Sequence, residues 1–344
     1  MPGAGERAFA YAKACGIMGK SFVGKRVSHL GNITRLSELD RLVFPDTSRD
    51  LPEKELLVDL EGRLIKRAAD AIIAIVDSFR KPPELLSLLI RSYEYADLKT
   101  ALNAVSGGEI PAEQAKPGFT DLGRFSTINF AAWPNIPAMI KGTEFEFLLN
   151  RQGEMDKEKP GISIQAELDR HYYESLWKSL KKLPAGDRRV SERILAEEIS
   201  LRNAVWALRL RTYYRMQADE VRSHLIDINA AIQGKAVSLA ADAFDSLDRV
   251  LDNRQAWKGW KRSEFLNPDM GEWKLDPRYF QNTASQYLYR LARRSFRSNP
   301  ASLDTVFCFI KIKQFEEDIL TSSAEGLGLG MASREIFGML GVES

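Results

Sequence analysis

The sequence predicts an all-α protein, and three observations carry that prediction. Apolar residues recur at three- and four-residue intervals along most of the chain. Alternating runs of Val, Ile and Thr are nearly absent, and Pro, Gly and charge gather at a few breaks. With 344 residues, 44% hydrophobic and 28% charged, the chain is long enough for a sizeable core and has the composition of a globular protein.

The elements follow in order. The alanine-rich stretch "ERAFAYAKA" is spaced like a helix. Between Glu53 and Lys81, Leu57, Leu60, Leu64, Ala68, Ile72, Ile75, Val76 and Phe79 make one stripe of a long amphipathic helix, which "KPP" at 81–83 stops. A second helix runs Glu84 to Val105 and ends in "SGG"; the short connection predicts an antiparallel pair. Further helices are expected over Ala166–Leu183, Ser191–Met216, Ile232–Leu251, Ser285–Arg297 and Asp304–Leu327, with a short terminal helix "SREIFGML". The breaks fall at 107–118, 152–161, 183–187, 267–277 and 298–300.

Charge and cysteines narrow the function. Lys+Arg 49 against Asp+Glu 47 gives a net charge of +2, too even for a protein whose main partner is a phosphate backbone, so no nucleic acid is expected. Cys15 and Cys308 lie far apart, which leaves no disulfide framework or CxxC site; each reads as a small core residue, and a reducing cytoplasm fits. No signal-peptide layout and no apolar run of membrane-spanning length is present, so membrane association is expected only through a partner.

Spacing argues against most candidate chemistry. Gly19-Lys20-Ser21 resembles the end of a phosphate loop, but Ala14 holds the first glycine position and a helix precedes it where a strand is required, so no nucleotide site is expected. His171 and Glu174 share a helix face in "HYYE" without the second copy that a helical di-iron site needs. "GLGLGM" at 326–331 lacks the third glycine of a dinucleotide loop and reads as a flexible break. The basic stretches around Lys181 and Arg293 read as solvated faces that could meet acidic lipid or protein. Trp177, Trp206, Tyr213, Tyr214, Trp257, Trp260 and Trp273 read as packing residues. Catalytic, metal and cofactor residues are therefore expected to be none, and no interface residue is assigned.

A weak internal repeat gives the organisation. "EYADLKTALNAV", "EEISLRNAVWAL" and "EEDILTSSAEGL" align Glu94/Glu197/Glu316, Leu98/Leu201/Leu320 and Ala101/Ala204/Ser323, and the first two share a cation at Lys99/Arg202. Three similar helical units in tandem are expected: 1–110, with room for it to share helices with the C-terminus, then 111–230 and 231–344, with joints near 107–118 and 217–235.

The order of "FAYAKACGIMGK", "ITRLSELDRLVFPD", "YEYADLKTALNAV", "EEISLRNAVWALRLRTYY" and "FEEDILTSSAEGL" resembles the C-subunit family of the V/A-type rotary ATPases, whose eukaryotic counterpart is the d-subunit. The resemblance covers essentially the whole chain. Two departures are Asp46 after Pro45, where a tyrosine is usual, and Thr321 where a basic residue follows leucine. It implies a funnel-like, non-catalytic central-stalk connector between the membrane proteolipid ring and the central shaft, serving proton or sodium transport. Such a protein would be cytoplasmic and peripheral to the membrane. The residues alone leave two other readings open: a helical-repeat scaffold or adaptor, and an all-α enzyme with an unrecognised site.

Overall fold

The computed structural model describes residues 2–107, 118–150, 160–232, 235–269, 271–300 and 302–340. Among these the chain is all-α apart from one hairpin. In chain order the helices are α1 (Ala4–Met18), α2 (Leu36–Val43), α3 (Glu53–Val76), α4 (Glu84–Gly107), α5 (Ile136–Ile140), α6 (Phe147–Asn150), α7 (Pro160–Lys181), α8 (Ala185–Tyr214), α9 (Ala218–Ser223), α10 (Ala241–Ser246), α11 (Pro277–Ser295), α12 (Leu303–Gly328) and α13 (Ser333–Leu340), with short 3-10 turns between them. Strands β1 (Asn229–Ile232) and β2 (Lys235–Ser238) pair antiparallel, with Asn229 opposite Ser238 and Ala230 opposite Val237.

α12 is the central element. Every residue from Leu303 to Ile310 is buried, so the start of this helix is covered on all sides, and α1, α2, α3, α8 and α11 all pack against it. Ser302 caps it, its hydroxyl accepting from Thr305 N–H at 3.2 Å. Asp304 then fixes it to the start of α8 by accepting from the backbone N–H of Ser191 at 2.8 Å and of Val190 at 3.1 Å. α3 lays its expected stripe (Leu60, Leu64, Ala68, Ile72, Ile75, Val76) onto this core. α4 packs against α3 and α7.

α8 joins three apolar clusters. Its first half, with Ile194, Leu195 and Ile199, belongs to the main core. Leu201, Ala204 and Leu208 pack with Trp257, Trp260, Phe265 and Phe280, and Ala207 and Leu210 pack with Val221, Leu225 and Leu247. It ends where Arg215 takes a left-handed conformation (φ 53°).

The structure corrects several expectations. Ile232–Leu251 is not one long helix: the end of the hairpin and the single short helix α10 occupy it. The reason is tertiary. Asn203 of α8 accepts from Ile226 N–H at 2.8 Å and donates to the carbonyls of Ile226 at 2.8 Å and Leu239 at 3.3 Å, which holds both ends of the hairpin against α8. Cys15 is exposed, whereas Cys308 is fully buried as expected. Tyr213 and Tyr214 are also exposed, at the end of α8. Gly326 and Gly328 do not form a loose break. They continue α12 because a Cβ there would lie 2.6 Å from Ile336 Cδ1 and 2.9 Å from Leu57 Cδ2, so α13 and α3 approach where side chains are absent. The expected joint at 107–118 lies almost wholly outside the described residues.

Candidate functional site

The helices that carry the repeat, α4, α8 and α12, all contribute to one open cleft of about 460 Å³, completed by α7 and α11. Its walls are charged. Asp169 on α7 is the hub: Lys99 Nζ of α4 lies 2.5 Å from Oδ1, Arg202 Nη2 of α8 lies 2.7 Å from Oδ2, and the Trp206 indole donates to Oδ2 at 3.3 Å. Burial by itself raises the Asp169 pKa, but the Arg202 and Lys99 charges outweigh it and hold the carboxyl below its ordinary value. Burial, reinforced by the charge of Arg202, holds the Lys99 ammonium below its ordinary value even with Asp169 beside it.

A second node faces the first. Tyr173 OH donates to Glu198 Oε1 at 3.0 Å, and Lys311 Nζ of α12 pairs with Glu198 at 2.8 Å. Arg202 lies over the Tyr173 ring, 5.4 Å from its centroid, and links the two nodes. Lys99, Arg202 and Lys311 are thus each paired with a carboxylate, whereas Asp318, also on the cleft wall, forms no ion pair among the described residues and its carboxyl is pushed up to about 6 by desolvation. The arrangement ties α4, α7, α8 and α12 together through charge-assisted contacts.

The three repeat glutamates lie on the long helices α4, α8 and α12, and each accepts hydrogen bonds from outside its helix. Glu94 accepts from Thr127 N–H at 2.5 Å, Ile128 N–H at 2.9 Å, Ser126 Oγ at 3.1 Å and Thr127 Oγ1 at 2.8 Å. Glu316 accepts from Phe22 N–H at 2.8 Å and Arg67 Nη1 at 3.0 Å, and it also pairs with the buried Lys313. Glu197 accepts from Arg262 Nη1 at 2.7 Å, and Arg262 also reaches Asp242 and Ser200. Leu98, Leu201 and Leu320 are all buried, as are Ala101, Ala204 and Ser323. The cations Lys99 and Arg202 converge on the same carboxylate.

Other motifs resolve into packing. Gly19 is the C-terminal cap of α1 and Ser21 Oγ donates to the Ile17 carbonyl, so "GKS" closes a helix where a phosphate loop would open one. His171 meets Tyr95 OH at 2.6 Å and stacks on Phe147, while Glu174 pairs with Lys178. Among the described residues, no group of three or more His, Cys, Asp or Glu could hold a metal, and no helix is long and apolar enough to cross a membrane. Asp169 and Glu198 are not singled out by sequence reasoning. The cations Lys99 and Arg202 do not by themselves name a shared partner, so Asp169 carries no sequence signal, and Glu198 carries none beyond being the second of two acids.

Known proteins resemble this chain in sequence. The model of the ATP synthase (C/AC39) subunit family matches residues 47–338, a span that holds every cleft residue named above. An uncharacterized protein of Treponema pallidum (strain Nichols) is 29% identical over 331 residues, 94% of this chain and 93% of that one. The C-subunit of an A-type ATP synthase from Methanosarcina mazei is 24% identical over 239 residues, covering 68% of this chain and 62% of that protein. A match of this extent, on an all-α chain, means that the protein belongs to the ATP synthase (C/AC39) subunit family.

Proposed function

We propose that this chain is the non-catalytic central-stalk connector of a V/A-type rotary ATPase, joining the soluble rotor shaft to the membrane proteolipid ring so that ATP hydrolysis or synthesis is coupled to ion movement. The observation that carries the reading is the convergence of the three repeat helices on one charged cleft inside the family-matched span. A connector must transmit torque without yielding. Long helices packed around α12, with ion pairs crossing between elements, give such stiffness.

The tandem units 1–110, 111–230 and 231–344 belong to the same proposal. Similar units set about a common axis offer a ring-like surface to a ring-shaped partner. On this reading the protein sits at the cytoplasmic face, is held to the membrane through its partners, and uses no cofactor, nucleotide or nucleic acid. Membranes lacking it test the reading, with ATPase activity and ion transport measured side by side. Soluble hydrolysis that survives while pumping is lost is the expected result; unimpaired, inhibitor-sensitive pumping overturns the connector role.

A further inference from the structure

The stretch "LYRLARRSFR" reads from sequence as a solvated face, and its four arginines are exposed while also lining a recess. Arg290, Arg293, Arg294 and Arg297 follow the spacing i, i+3, i+4, i+7, which puts four guanidinium groups on one side of the end of α11 and the turn after it. They line a hollow of about 580 Å³ whose remaining wall includes Met18, Val23, Phe296 and Ile312. Like charges at these spacings repel one another. The negative end of α11 offsets roughly half a charge of the four. Among the described residues, no carboxylate forms an ion pair with any of them, whereas Lys99, Arg202 and Lys311 in the other cleft each have one.

One of the four, exposed like the others, has close neighbours. The segment after α1 passes beneath Arg293 at Gly24, where φ is +62° and an added Cβ would lie 2.8 Å from Arg293 Nη2. The same guanidinium lies over the Tyr289 ring, 6.0 Å from its centroid, and Tyr289 in turn stacks on Phe315 at 4.3 Å. Four exposed guanidinium groups gathered beside an apolar wall, one of them resting over an aromatic ring, make an open surface suited to an anion.

We infer that this recess binds a phosphate group. The choice of phosphate over carboxylate rests on charge density. A phosphate monoester places about −1.5 to −2 charge and three acceptor oxygens on one compact group. Carboxylates bring one charge each on separate side chains, so several would have to converge at once to answer four guanidinium groups. The apolar wall admits an organic body attached to the phosphate, so the group can belong to a soluble phosphate compound or to a lipid headgroup. The inference is independent of the connector reading and stands or falls separately.

The test uses the full chain at physiological salt with three probes: pyrophosphate, vesicles of phosphatidylglycerol in phosphatidylcholine, and polyglutamate. Arg290→Gln/Arg294→Gln removes two exposed charges and leaves Arg293 and its support untouched. Lys54→Gln/Arg193→Gln removes two exposed charges elsewhere and serves as the equal-charge control, and thermal melts establish that both variants fold. Cys15 lines the recess and is exposed, whereas Cys308 is fully buried, so alkylation of the native protein by iodoacetamide reads the recess directly.

Pyrophosphate or anionic vesicles should bind the wild type and slow Cys15 alkylation. Binding should weaken about tenfold in the α11 variant and stay within about twofold in the control, as expected for lost charge-assisted hydrogen bonds. Pyrophosphate binding alone assigns a soluble ligand, and vesicle binding assigns a lipid headgroup. Binding of neither, equal loss in the control, no protection of Cys15, or binding of polyglutamate alone overturns the phosphate site.

Discussion

Phe22 N–H donates to Glu316 Oε1 at 2.8 Å across 294 positions of sequence, fastening the segment after α1 to the middle of α12. The same carboxylate receives Arg67 from α3 and the buried Lys313. Burial favours neutral forms of both Glu316 and Lys313, yet the Lys313 and Arg67 charges hold the Glu316 pKa below its ordinary value.

Glu316→Gln leaves the Lys313 ammonium buried without its counter-charge and should destabilise the protein by about 3 kcal/mol. Adding Lys313→Met should recover a large part of the loss, because the stranded charge goes with it. Urea midpoints of both single variants and the double variant measure the coupling. Additive losses would show that the two residues do not interact in solution.

Glu94→Gln should cost about 2 kcal/mol. Glu94 is fully buried and accepts from two backbone N–H groups and two hydroxyls, and the glutamine amide turns one acceptor oxygen into a donor facing donors. Hydrogen exchange of the Thr127 and Ile128 amides should quicken in the variant. Unchanged exchange there would place the loop's stability elsewhere.

Asp169→Asn should destabilise by about 2–3 kcal/mol, below the full penalty for a buried pair, because Arg202 is about a third exposed. Its lowered pKa fixes the sign: the Asp169 contribution is present above the ordinary carboxylate range and is lost as pH falls through the folded value. The melting temperature of the wild type should therefore fall more steeply on acidification than that of the variant.

Glu317 behaves in the opposite sense. Burial, with added repulsion from Asp318, pushes its carboxyl up to about 8 even though Tyr93 OH donates to it at 2.6 Å. A raised folded pKa gives stability that is complete below the ordinary value of 4.5 and is lost as pH rises through about 8. Glu317→Gln should melt close to the wild type at pH 5 and above it at pH 9. Parallel melting curves across that range would remove Glu317 from the pH dependence.

Gly326→Ala places a methyl against Ile336 Cδ1 and should cost about 1–2 kcal/mol by overpacking. Ile336→Ala should relieve most of it, since the two clashing atoms, Cδ1 at 2.6 Å and Cγ1 at 2.7 Å, are both lost. Circular dichroism melts of the two variants and their combination decide the point.

The helices are legible because their signal is local. The stripe on α3, the proline stop after it and the long apolar run of α12 depend only on residues a few positions apart, and each recurs in the structure within a few residues of its expected ends. Lys99 and Arg202, aligned as cations in the sequence, share one carboxylate in the structure. Tertiary structure decided the rest. Asn203 draws 226–239 into a hairpin from another helix, where the local pattern after Ile232 reads as helical. Asp169 becomes the hub of a cleft only when α4, α7 and α8 meet, and Lys313 is buried only because Glu316 and its partners receive it. Periodicity records which face of a helix avoids water; which charge answers another is set by distances between elements far apart in sequence, and a single chain of letters does not contain them.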